Sequence, residues 1–106
     1  MKLLLLAYDK PGSEGVALRD KLRDAHGETI TARFHAGEAL FGAGIYDDEG
    51  VVRGSIIIFD YPSRADVDAY LLTEPFYTGG LWERYEVSEL KVPDMYVERM
   101  GPAKGR

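Results

Sequence analysis

Gly54-Ser55-Ile56-Ile57-Ile58-Phe59-Asp60, residues 54–60, is the stretch whose reading decides the fold. A strand turns successive side chains to opposite faces, and here both alternating sets, Ile56 with Ile58 and Ile57 with Phe59, are apolar. Leu3-Leu4-Leu5-Leu6 repeats the pattern, bounded by Lys2 and by Asp9-Lys10-Pro11-Gly12. Both runs therefore read as strands buried on two sides, and alternation alone cannot assign a wet face to either.

Working outward, residues 39–46 and 51–60 are strand-like, and Asp47-Asp48-Glu49-Gly50 between them is a hairpin turn. Ahead of the hairpin, Ser13 after Pro11-Gly12 is the expected N-cap of a helix carrying Val16, Leu18, Leu22 and Ala25. Gly27 and the run Thr29-Ile30-Thr31 weaken its continuation to the stop at Gly37. One helix, or two pieces meeting near His26, fits equally. Behind the hairpin, Ser63 caps a helix with Val67, Tyr70 and Leu71 on one face and Arg64, Asp66 and Asp68 on the other. Residues 82–92 supply the last strand, which Pro93 ends.

The order βαββαβ is that of an α+β, ferredoxin-like unit: a four-stranded antiparallel sheet with two helices on one face. Two helices leave the other face bare. Roughly six large aliphatic side chains in water would forfeit about 1.5–3 kcal/mol each, too much for a marginally stable domain. A second copy of the chain is the simplest cover, so a homodimer built as a dimeric α/β barrel is expected.

The chain has 106 residues, 45% of them hydrophobic, which sets one domain, over residues 1–92. The tail, residues 93–106, is expected to dock on the dimer. With 13 Lys and Arg against 18 Asp and Glu, the net charge is −5 and the basic residues are scattered, which argues against nucleic-acid or anionic-membrane partners. There is no cysteine, hence no disulfide, thiolate nucleophile or Cys-based metal site, in keeping with a reducing compartment. Leu3-Leu4-Leu5-Leu6 is too short for a leader or a membrane span, and a cytoplasmic location is the expectation.

The chemistry centres on His26, since an imidazole takes and returns protons near neutrality and a carboxylate on its other nitrogen fixes its tautomer. Asp9, at the carboxyl end of the first strand, is one candidate for that carboxylate. Arg23, three positions before His26, could hold a carboxylate or enolate oxygen of a small ligand. Each has a plain structural reading too: a helix histidine bonded to a neighbour, a turn-organising aspartate, a solvated arginine. Gly42-Ala43-Gly44 lies in a strand with no helix after it and is not a dinucleotide fingerprint. Asp47-Asp48-Glu49-Gly50 lacks the alternating ligands of a calcium loop. No histidine cluster has metal-ligand spacing, so neither metal nor cofactor is expected.

Asp9-Lys10, Arg23, His26, Ala43-Gly44, Gly54-Ser55, Ser63 and the run Thr73-Glu74-Pro75-Phe76 through Gly80 follow the order and spacing seen in the YciI-like (YCII-related) family, which the chain resembles over residues 1–92. The resemblance implies a dimeric α/β barrel and a pairing of His26 with the acid before the Pro-aromatic pair, here Glu74 where relatives carry Asp. Ser55 and Phe76 join Arg23 as the expected substrate-binding set. The chemistry of these residues fits two functions: a cofactor-independent lyase or isomerase working on a small polar organic molecule, or a non-catalytic homodimer that binds a metabolite or a partner.

Overall fold

The computed structural model describes residues 1–100. Strands β1 (Lys2–Asp9), β2 (Ala39–Tyr46), β3 (Val52–Asp60) and β4 (Trp82–Leu90) form one sheet in the order β2-β3-β1-β4, with every neighbouring pair antiparallel. Helices α1 (Gly12–His35) and α2 (Arg64–Leu71) make the two crossovers, and two four-residue turns of helix, α3 (Pro75–Thr78) and α4 (Asp94–Val97), flank β4. This is the expected ferredoxin-like arrangement.

The two apolar faces of β1 and β3 are distinct. Leu3, Leu5, Ala7, Ile57 and Phe59 are buried with Val67, Tyr70 and Leu71 of α2, Phe76 of α3 and Val87 of β4, and Leu18, Leu22 and Ile30 of α1 pack against them. This one-sided core is what fixes the strand register, since a slip by one residue would exchange the faces. On the other face the register sets Phe41 opposite Ile58 and Ile58 opposite Leu4, and one step along sets Ala43 opposite Ile56 and Ile56 opposite Leu6. Leu4, Leu6, Ile56 and Ile58 are only partly buried there, and Phe41 and Ile45 are 48% and 37% exposed. The oily patch gives way to charge at β4, where Arg84 lies over the Tyr8 ring at 4.1 Å.

Alpha1 is one uninterrupted helix of 24 residues, not two pieces meeting at His26. Gly27 costs about 1 kcal/mol against alanine in a helix interior, and the packing of Leu22 and Ile30 against the core outweighs it. The start of α1 carries no side-chain cap, so the capping expected of Ser13 is not made. The helix stops where Gly37 takes a φ of 76° and its N–H and that of Glu38 bond back to Phe34 and Arg33, the usual left-handed exit. Alpha2 starts as expected. The Asp66 carboxylate accepts from the Ser63 backbone N–H at 3.1 Å, closing a capping box.

The last strand ends at Leu90, and the tail turns once as α4. Glu98, Arg99 and Met100 line part of a cavity; the rest of the expected docking tail, 101–106, lies outside the described residues. Among the described residues no helix is long and apolar enough to cross a membrane.

Candidate active site

Glu74 sits where α2 has ended and α3 begins, as the N-cap of α3, with Pro75 in the first turn. Its side chain is fully buried, and a buried carboxylate is tolerable only when its lone pairs are satisfied. Three donors converge on it. The Phe76 backbone N–H donates to Oε1 at 3.1 Å, the Tyr70 hydroxyl donates to Oε2, and Nδ1 of His26 lies 2.6 Å from Oε1. Burial, and then the charge of Glu74, push the Tyr70 phenol well above its ordinary range, so it stays a donor at any physiological pH.

His26 comes from the middle of α1, and its ring is held on two sides. It stacks on Phe76 with centroids 4.0 Å apart and 12° between planes, and meets Trp82 edge-on at 6.1 Å. An ionised carboxylate only accepts hydrogen bonds. The network therefore assigns the proton to Nδ1 and leaves a lone pair on Nε2, which has no hydrogen-bond partner among the described residues.

That ring lines a cavity of about 790 Å³ between α1 and the β2–β3 hairpin, walled by Ile30, Phe34, Phe41 and Ile57. Arg19 and Ser55 are its other deep polar groups. Arg19 grips Asp9 with Nε at 2.6 Å and Nη2 at 3.0 Å, and Nη2 also reaches the Gly54 carbonyl at 3.2 Å and Ser55 Oγ at 2.8 Å. Its guanidinium carbon lies 4.7 Å from the centre of the Phe76 ring. Nη1 makes no hydrogen bond among the described residues, which leaves two N–H groups for a ligand.

The expected residues are thus sorted by geometry. Of the two candidate carboxylates for His26, Glu74 is in contact and Asp9 is occupied by Arg19. Ser55 and Phe76 belong to the cluster, Ser55 through Arg19 and Phe76 as the platform for both His26 and Arg19. Arg23 stands apart from it: its side chain is 60% exposed and pairs with Asp20 at 2.7 Å. The position expected of Arg23 is taken by Arg19, which the sequence reading did not single out. The signal was there. Residues seven apart on a helix differ by about 20° in direction and residues three apart by about 60°, so Arg19 shares the His26 face more closely than Arg23 does. Tyr70 and Trp82 are among the aromatic residues that the sequence offers for a pocket or the core, and it gives neither a link to His26 or Glu74. Among the described residues no group of three His, Cys, Asp or Glu could hold a metal ion.

A search of curated proteins finds no significant match. Among solved structures, the chain is similar to the 5-chloro-2-hydroxyhydroquinone dehydrochlorinase TftG of Burkholderia phenoliruptrix AC1100, solved in complex with 2,5-dihydroxybenzoquinone, with a TM-score of 0.76 and 22% identity over 90% of this chain and 98% of that one. It is also similar to an antibiotic biosynthesis monooxygenase, with a TM-score of 0.51 and 20% identity over 87% and 98% of the two chains. Rv0793 of Mycobacterium tuberculosis gives a TM-score of 0.52 and 17% identity over 89% and 99%. These likenesses show the fold, a ferredoxin-like α+β arrangement with a four-stranded antiparallel sheet. The model of the YCII-related domain matches residues 1–91, and the chain belongs to that family.

Proposed function

We propose that this protein is a small cofactor-independent enzyme of lyase or isomerase type in which His26 is the general base. The observation that carries the reading is the buried Glu74 carboxylate 2.6 Å from Nδ1, on a ring whose other edge lines the cavity beside Arg19. Nε2 takes a proton from a carbon next to a carbonyl of the substrate. The electrons left behind form an enolate-like oxygen, which the free Nη1 of Arg19 stabilises, and Glu74 balances the imidazolium. The proton then returns to a different atom, or a leaving group departs with its electron pair as the new double bond forms.

The apolar walls favour a flat ring-sized molecule with one anionic oxygen, such as a carboxylate, phenolate or enolate. The similarly folded dehydrochlorinase is named for an elimination, one of the reaction classes that such a base serves. The active form is a homodimer, in which the apolar face of Leu4, Leu6, Ile56 and Ile58 is covered by a second copy.

The test is a thermal-shift screen of small organic acids, phenols and hydroxyquinones, followed by turnover assays on the hits. A hit should be converted by the parent, and His26→Ala should lower its rate by roughly 10²–10⁴-fold while binding persists. Hits that bind but are never converted would leave a binding module in place of the enzyme, and conversion indifferent to His26→Ala would remove His26 as the base.

A further inference from the structure

We propose that Tyr70 is a positioning residue that locks His26 in its Nδ1–H tautomer, acting through the second oxygen of Glu74. The inference rests on the reading of His26 as a base and extends it by one residue that makes no contact with the cavity lined by His26 and Arg19.

The two oxygens of Glu74 have different partners. Oε1 accepts from both His26 Nδ1 and the Phe76 backbone N–H, and Oε2 accepts from the Tyr70 hydroxyl, its one partner among the described residues. A carboxylate held at one oxygen alone can turn about its last bond, because that torsion is broad and nearly two-fold. Held at both ends, it cannot. Tyr70 is itself fixed: it is 4% exposed, stands at the end of α2 with its carbonyl accepting from Thr73 Oγ1 at 2.7 Å, and has the Phe59 ring 4.9 Å from its own.

The consequence falls on the imidazole. Without the phenol, Oε2 is a buried acceptor with no donor, a condition that costs about 1–3 kcal/mol. The carboxyl group escapes it by rotating or by taking up a proton. Either change weakens the demand for a proton on Nδ1 and admits the Nε2–H form, which cannot act as a base toward the cavity. The stacking of His26 on Phe76 holds the plane of the ring but does not choose between its nitrogens.

The experiment is long-range ¹H–¹⁵N correlation on the labelled protein with the histidine neutral. There are two histidines, and His35→Gln on the exposed end of α1 identifies the signals of His26. The wild type should show His26 as Nδ1–H, and Tyr70→Phe should raise the Nε2–H share several-fold in a protein that still unfolds cooperatively, at a lowered midpoint. An unchanged Nδ1–H pattern in a folded Tyr70→Phe overturns the proposal. So does a wild-type spectrum with the proton on Nε2, which needs no variant to fold. Because no substrate is involved, a protein that shows the tautomer shift yet converts nothing refutes the enzyme reading alone, and one that converts substrate without the shift refutes the role of Tyr70 alone.

Discussion

Arg19 and His26 project from the same side of α1, two turns apart, and both line one cavity while contacting the ring of Phe76. The two groups have complementary supports. His26 is backed by an acid from the α2–α3 junction, and Arg19 by an acid from the end of β1. The site thus depends on two loops meeting one helix.

Asp9→Asn should destabilise the protein by about 3 kcal/mol, the typical cost of removing one member of a buried ion pair. Asp9 is 2% and Arg19 13% exposed at the side chain, so the arginine left behind has little water to turn to. Urea denaturation measures the loss. Combining Asp9→Asn with Arg19→Met should cost less than the two changes summed, since the double variant strands no charge. Additive losses would show that the pair is not coupled.

Much of this was legible in the chain. The strands, the hairpin at Asp47, the cap at Ser63 and the bare second face follow from periodicity and turn chemistry, which are local. The pairing of His26 with Glu74 came from resemblance, because 48 residues separate the two and no local pattern links them. Arg23 is nearer to His26 along the chain, but Arg19 is nearer in direction around the helix, and direction decides which of them reaches the cavity. Local propensity counts Gly27 and Thr29-Ile30-Thr31 against a continuous α1, whereas the packing of Ile30 that holds it together is a tertiary term. Alpha3 leaves little trace in the sequence: four residues are too few for periodicity, although Pro75 at its first position and Gly79 and Gly80 at its end are helix-boundary chemistry.

The open face yields a second prediction. Ile58 lies between Leu4 and Phe41 in the middle of the apolar patch, so Ile58→Glu would put a charge into any sheet-on-sheet interface. Sedimentation velocity should find the parent dimeric and the variant at least tenfold weaker in self-association, about 1.4 kcal/mol. A parent that sediments as a monomer at micromolar concentration removes the dimer from the proposal.

Two buried phenols predict how stability falls in alkali. Burial first, then the charge of Glu38, pushes Tyr61 upward, and burial first, then Glu74, pushes Tyr70 upward. Both are neutral while protonated. Their folded values lie above the unfolded one of about 10, so their contribution is fully present below that pH and is lost as pH rises toward the folded values. Urea midpoints should hold up to about pH 9 and decline from about pH 10. Tyr61→Phe and Tyr70→Phe should each make the decline shallower. A parent midpoint flat across that window would contradict the buried, acid-paired placement of these rings.

Gly79 is where the helix carrying His26 touches the turn that carries Glu74. A Cβ there would lie 2.6 Å and 3.0 Å from the two methyl carbons of Leu22 and 2.7 Å from the Pro75 carbonyl oxygen, although its φ of −82° suits any residue. The demand for glycine is therefore one of space. Gly79→Ala should cost about 1–3 kcal/mol, as overpacking does, and should push α3 off α1. Glu74 is the N-cap of α3 and is held by the Phe76 N–H, so that shift lengthens the contact with His26 and lowers turnover along with stability. Leu22→Ala in the same chain removes the side-chain half of the clash and leaves the carbonyl half, so the double variant should recover part of the loss and not all of it. Gly80→Ala separates space from conformation: nothing lies within 4 Å of a Cβ there, but φ is 84°. It should cost about 1–2 kcal/mol through backbone strain, and Leu22→Ala should give it no relief. If Leu22→Ala rescues neither variant, or both equally, the close approach of α1 to α3 is not what sets the position of Glu74.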